Sequence, residues 1–168
     1  MVSIEELWNL VRSCFEVDDG SLPSLEIQNL TSAEIARIYA SIRQEAEVVT
    51  KNPSYWDNES DSERLLDSVQ NAASLVATGQ AEPFHFSVAG IRRGGVEVPC
   101  IGIFVFQDLL AFDYRMGSHW GPEQVFALFG WLRSVVESTG GASLVPSTSE
   151  GPPDPQAFGR AWRTFCHK

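Results

Sequence analysis

Read for its alternation of apolar and polar positions, the chain changes period near residue 80. Before that point apolar residues recur at helical spacing, and beyond it they recur at every second position. Ile4, Leu7, Trp8, Val11, Cys14 and Phe15 define the first helical face, with Asp19-Gly20 as its stop. Ser3 and Glu6 precede it at the spacing of a capping box, where each side chain satisfies a backbone N–H that the helix start leaves unpaired. Thr31 and Glu34 repeat the device ahead of Ile35, Ile38, Tyr39, Ile42 and Val49. Ser60 and Glu63 repeat it again ahead of Leu65, Leu66, Val69, Ala72, Ala73 and Val76, with Gly79 closing the stripe. The pattern therefore predicts three helices. It also predicts a short strand within residues 24–30, where Leu25 and Ile27 alternate with polar neighbours. Asn52-Pro53 breaks the chain, and the polar stretch 51–62 is expected to be a mobile loop.

In the second half, residues 83–91, 96–106 and 109–115 read as a three-stranded meander. A Gly/Ser/His/Trp/Gly/Pro corner follows. Pro122 then suits the first position of a helix, because its ring presets φ and its missing N–H would have gone unpaired. Gly140-Gly141 ends that helix, and residues 142–146 are one more strand. Asp154 caps and Pro155 opens a last helix with Phe158, Trp162 and Phe165 on one face. The expected fold class is α+β: a mostly antiparallel sheet (meander 84–115 plus a strand near 142–146) with helices packed chiefly on one face. The chain is expected to form a single domain over 1–168, with a helical half (1–80) and a sheet-rich half (81–168).

Turn lengths set a register, and the register decides which side chains meet. With Arg93-Gly94 as the first turn, His85 lies opposite Gly102 and Ser87 opposite Cys100. With Gln107-Asp108 as the second, Gly102 lies opposite Asp113 and Cys100 opposite Arg115. One face then carries Phe84, Phe86, Val88, Ile101, Ile103, Val105, Leu110, Phe112 and Tyr114, a continuous core surface. Gln107-Asp108 is poor chemistry for a two-residue hairpin turn, which favours Gly or Asn, so a longer loop stays open.

The reverse face bears the candidate chemistry. His85 and Asp113 flank a bare Gly102, their Cα atoms about 9.6 Å apart across two strand spacings. A glycine inside a strand marks close approach of a ligand or another chain segment, so the pair reads as weak catalytic candidates, Asp113 orienting His85 as a base. A Cys100–His85 pair can also be drawn, but nothing in the sequence lowers the thiol pKa. The second candidate surface lies around the break at Asn52-Pro53: Tyr55, Trp56, Asp57, Glu59, Asp61 and Glu63 form an acidic, aromatic-tipped stretch suited to a cationic partner. His119 and Trp120, in the corner before the fourth helix, are candidates to anchor a partner or an anion.

Composition narrows the classes. The net charge is −10 at pH 7, which argues against a nucleic-acid partner. With 43% hydrophobic residues, 168 residues are enough to bury a core without staples. Cys14, Cys100 and Cys166 are too dispersed to share a metal and read as free thiols of a reducing compartment. No metal or cofactor is expected. MVSIEELW lacks the basic and long apolar stretches of a secretory signal, and no stretch spans a membrane, so a cytoplasmic location is expected.

The run PFHFSVAGIRRGGVEVPCIGIFVFQDLLAFDYRMGSHWGPEQVFALFGWL sits in an acidic α+β chain with several tryptophans and no catalytic signature. In these respects the chain resembles the immunity proteins of bacterial polymorphic-toxin systems. The resemblance is of type, transfers no functional residues, and implies a tight stoichiometric complex with a toxin domain. The leading expectation is a non-enzymatic protein-binding domain that occludes a cationic toxin, with residues 55–63 carrying much of the contact. The alternatives are a small hydrolase or transferase using His85 and Asp113, and a structural or chaperone-like subunit of a larger assembly. The enzyme reading requires His85 and Asp113 to converge, and the binding reading predicts no concave pocket around Gly102. The sequence leaves partner, substrate and oligomeric state open.

Overall fold

The structure is a computed structural model that describes residues 1–167. Its elements run α1 (Ile4–Val11), β1 (Ser24–Gln28), α2 (Ser32–Glu45), β2 (Glu47–Val48), β3 (Ser54–Asp57), β4 (Ser62–Leu65), α3 (Ala72–Ala77), β5 (Phe84–Ala89), β6 (Arg92–Arg93), β7 (Val96–Glu97), β8 (Ile101–Val105), β9 (Leu110–Tyr114), α4 (Pro122–Glu137), β10 (Ser143–Pro146) and α5 (Pro155–Cys166). Six strands form one antiparallel sheet in the order β10-β1-β9-β8-β5-β2. The fold is α+β, as the period change implies.

Phe84, Phe86, Val88, Ile101, Ile103, Val105, Leu110, Phe112 and Tyr114 are all buried, together with Leu25 and Ile27 of β1. The helices lie on this side. Tyr39 of α2 meets Phe84 and Phe86 edge-on, and Trp131 of α4 meets Phe112 at 5.3 Å between ring centroids. Phe129 of α4 packs on Phe158 and Phe165 of α5. Polar groups fasten the layers. The Trp131 indole donates to Glu45 at 2.8 Å, and Arg93 pairs with the same carboxylate at 3.1 Å. Glu34 completes the capping box of α2 and also accepts from the Gly140 amide at 2.9 Å, tying the start of α2 to the chain just past α4.

The second hairpin has the expected register. Gly102 pairs with Asp113, and the Phe106 amide bonds the Leu109 carbonyl, so Gln107-Asp108 is a two-residue turn. The first hairpin is shifted by two. Its turn is Gly94-Gly95, at φ 57° and 80°, and Ser87 rather than His85 stands opposite Gly102. A turn of this kind needs positive φ at both central residues, which two glycines provide and Arg93-Gly94 does not. An even shift preserves the faces, so the core surface is unchanged. Pro99, which has no N–H for a ladder, sits in the gap where the expected strand 96–106 splits into β7 and β8.

Residues 51–71 depart from expectation. In place of a mobile loop and a long third helix, β3 and β4 form a hairpin, and the helix shrinks to Ala72–Ala77 with Asn71 as its cap. Asp57 is buried and accepts from the Ser60 hydroxyl and amide and from the Glu59 amide. That turn consumes Ser60, the residue that was to cap a helix, and Glu63 instead accepts from the Ser54 hydroxyl across the strand pair. An Asp side chain that satisfies local amides competes directly with helix initiation.

The hairpin also separates two leucines that a helical stripe would bury together. Leu66 is 1% exposed and Leu65 is 53% exposed. Leu66→Ala is therefore expected to cost about 2–5 kcal/mol of unfolding free energy, and Leu65→Ala to stay within about 0.5 kcal/mol of wild type. Urea denaturation of the two variants measures both, and equal large losses would restore the helix.

Candidate functional site

With α2 and α4 packed on the apolar face, the reverse face of the sheet carries the polar side chains. Two rows cross it. One runs Ser24, Asp113, Gly102, Ser87 through β1, β9, β8 and β5, and the next runs Glu26, Ala111, Phe104, His85. His85 thus lies diagonal to Asp113 rather than level with it, yet the two side chains meet. Nε2 of His85 is 2.7 Å from Oδ2 of Asp113. Gly102 makes this possible, because a Cβ there would overlap both the carboxylate and the imidazole.

The pair lies in a concavity of about 830 Å³. Its floor includes Ser24, Glu26, Phe104, Phe106, Ala111 and Asp113, and its rim includes Gly20, Ser21, Leu22 and residues 147, 149, 150 and 151. The rim is held by backbone bonds: the Ser24 amide donates to the Glu150 carbonyl at 2.7 Å, and the Ser147 amide to the Ser24 carbonyl at 3.0 Å. Phe104 and Phe106 stack at 4.5 Å, and the His85 ring stands edge-on to Phe104. Three acidic residues, Glu26, Asp113 and Glu150, line the concavity against a single imidazole, so it is acidic. Arg115, just past β9, is engaged by Asp18 at 3.0 Å.

The hydrogen bond to Asp113 raises the His85 pKa above its ordinary value, burial opposes this, and the carboxylate's charge adds to the rise. The pair is thereby biased toward imidazolium–carboxylate. Nδ1 makes no hydrogen bond to a described residue, so a solvent or ligand atom can take that side of the ring. Cys100 is exposed, but burial of its sulfur and then the charge of Asp113 push its thiol pKa up, which disfavours a Cys100 thiolate nucleophile. Among the described residues no group of His, Cys, Asp or Glu could hold a metal ion.

The other sequence candidates fall elsewhere. Tyr55 and Asp57 are buried in the β3–β4 hairpin and offer no surface to a partner. Trp56, Glu59, Asp61 and Glu63 stay exposed on its outer side. Trp120, a sequence candidate for anchoring a partner, is 3% exposed and so offers no surface to one. Its indole donates to the Arg115 carbonyl at 2.7 Å and its ring lies 5.0 Å from Phe15. His119 is exposed and bonds the same carbonyl at 2.8 Å. The corner is a joint, closed because Arg115's carbonyl collects both rings. Ser24, Glu26, Phe106 and Glu150 were absent from the sequence candidates. The alternation of Ser24 and Glu26 with Leu25 and Ile27 signalled a polar face, but nothing placed β1 beside β9.

Compared with protein-family models, with curated proteins and with solved structures, the chain matches none.

Two outcomes follow from the geometry. Because the folded-state pKa of His85 is raised, its contribution to stability is present in acid and is lost as pH climbs from about 6.5 through the raised value. In an NMR titration His85 is expected to titrate above that ordinary value, and Asp113→Asn to bring it down. Gly102→Ala forces a methyl group between the two side chains and is expected to cost about 1–3 kcal/mol in thermal or urea unfolding. The same substitution should abolish the elevated titration, and an unaltered His85 titration in that variant would contradict the close approach.

Proposed function

We propose that this protein is a non-enzymatic binding protein that forms a stoichiometric complex with a basic protein partner, in the manner of a bacterial toxin-immunity protein. The observation that carries the reading is the uncovered face of the sheet. It is concave and combines three carboxylates with a stacked phenylalanine pair in a chain of net charge −10. Aromatic anchors within an acidic surround suit lysine- and arginine-rich surfaces, through ion pairing and through cation–π contact with the rings. The partner surface is thereby assigned to the sheet rather than to the β3–β4 hairpin. The concavity around Gly102 goes against the expectation that a binder has no concave pocket there, and a protruding basic loop fits it where a flat interface does not.

A second reading has its own observation, the 2.7 Å contact of His85 with Asp113. An imidazole oriented by a carboxylate, with its other nitrogen free, is the base half of a hydrolytic site. No hydroxyl or thiol among the described residues hydrogen-bonds that imidazole, so an enzyme built here would have to activate water. This is why the binding reading comes first.

Where a neighbouring gene encodes a large secreted protein, its C-terminal domain is the partner to test. Co-purification is expected to give a 1:1 complex on size exclusion. Its affinity should fall steeply between 50 and 500 mM salt, as screening predicts (a Debye length of about 3 Å at 1 M against ~10 Å at 0.1 M). Glu26→Gln with Glu150→Gln should weaken it at least as much as that salt step. Unchanged binding in this double variant overturns the surface assignment. Turnover of p-nitrophenyl esters or phosphates that His85→Ala abolishes would favour the second reading.

A further inference from the structure

We propose a second binding site at the opposite chemical extreme: the groove between the outer edge of β10 and α5 accepts an extended acidic peptide, which adds to the sheet as a seventh strand. β10 ends the sheet, pairing with β1 on one side only. The Ser147 amide bonds the Ser24 carbonyl, so by antiparallel alternation Val145 and Ser143 also turn their backbone groups toward β1. The N–H and C=O of Leu144 and the C=O of Pro146 then point to the open edge. Pro146 has no N–H to offer, which limits pairing at that end and fixes where an added strand can bond.

Beside this edge lies a groove of about 470 Å³, walled by Leu144, Val145 and Pro146 on one side and by Gly159, Arg160 and Trp162 of α5 on the other, with Arg163 beside it. Gly159 sits in the middle of α5, where glycine is the least favourable residue after proline. Its missing side chain keeps the groove open, since a Cβ there would meet only the end of Arg163 at 3.5 Å. Arg160 and Arg163 are exposed and make no ion pair among the described residues, although the chain as a whole is strongly acidic, and α5 itself contains no acid. An open strand edge, an apolar floor and two free guanidiniums specify the occupant: an extended segment with apolar and acidic residues in alternation. A second copy of this chain is disfavoured, because edge-to-edge pairing would bring the arginines of both copies together.

The test uses the whole chain, isotopically labelled, with a ten-residue peptide of alternating valine and glutamate, and a valine–lysine peptide as control. The glutamate peptide is expected to shift the amide resonances of Leu144, Val145 and Gly159, and to slow hydrogen exchange at Leu144. The lysine peptide should do neither. Arg160→Glu with Arg163→Glu should weaken binding about tenfold or more. Gly159→Leu fills the groove with a better helix former, so it should keep the fold, checked by its thermal midpoint, and abolish binding. No shifts at β10, equal shifts with both peptides, or binding indifferent to Gly159→Leu overturns the proposal. So does a concentration-dependent dimer through β10, which would assign the edge to a second copy.

Discussion

Leu25, Ile27, Phe86, Ile103, Val105, Leu110 and Phe112 leave the sheet on the same side, and every one of them is at most 2% exposed. Burying that surface is the interaction on which the rest depends. Side chains alternate strictly along a strand, so a slip of one residue in any of β1, β5, β8 or β9 would turn its apolar set to water and its polar set into the core. The helices cover this face because it is a large, continuous apolar surface. What they leave uncovered is determined by the same alternation.

The polar face is therefore a by-product of the core that has acquired its own chemistry. Gly102 is the position where this shows best. On the inner side its neighbours Ile101 and Ile103 are fixed by packing, and on the outer side its lack of a Cβ lets His85 and Asp113 close over the strand. A pair that crosses a strand in this way resists local loop motion, since each partner sits on a strand of the main sheet rather than on a loop. The edges of the sheet behave differently. β2 is two residues long, and β10 carries Pro146, which has no N–H to offer an added strand.

Charge is distributed to match. Acids line the concavity, while the free arginines lie on α5 beside the β10 edge. Arg12, Arg43, Arg92, Arg93, Arg115 and Arg133 each have a carboxylate within reach. Exposed pairs of this kind add little stability one by one. Their effect is to leave few unpaired cations on the molecule, which is what makes Arg160 and Arg163 conspicuous.

The sequence by itself determined the elements whose signals are local. Ser3–Glu6 and Thr31–Glu34 capped helices as read, Asp154-Pro155 opened the last one, and the alternation from Phe84 to Tyr114 placed the core face correctly. It also brought His85, Gly102 and Asp113 onto one surface, because a two-residue period survives an even error in register. Tertiary structure decided the remainder. Asp57 turned a helix start into a hairpin by bonding Ser60 and Glu59, a competition between two local options that the pattern of apolar residues cannot rank. Trp120 went inward because Phe15, distant in sequence, and Tyr114, at the end of β9, left a place for its ring. The insertion of β1 between β9 and β10, which brings Glu26 and Glu150 to the concavity, depends on pairing between strands tens of residues apart. Hydrophobic periodicity records which way a side chain faces, and it carries no information about which strand will lie beside it.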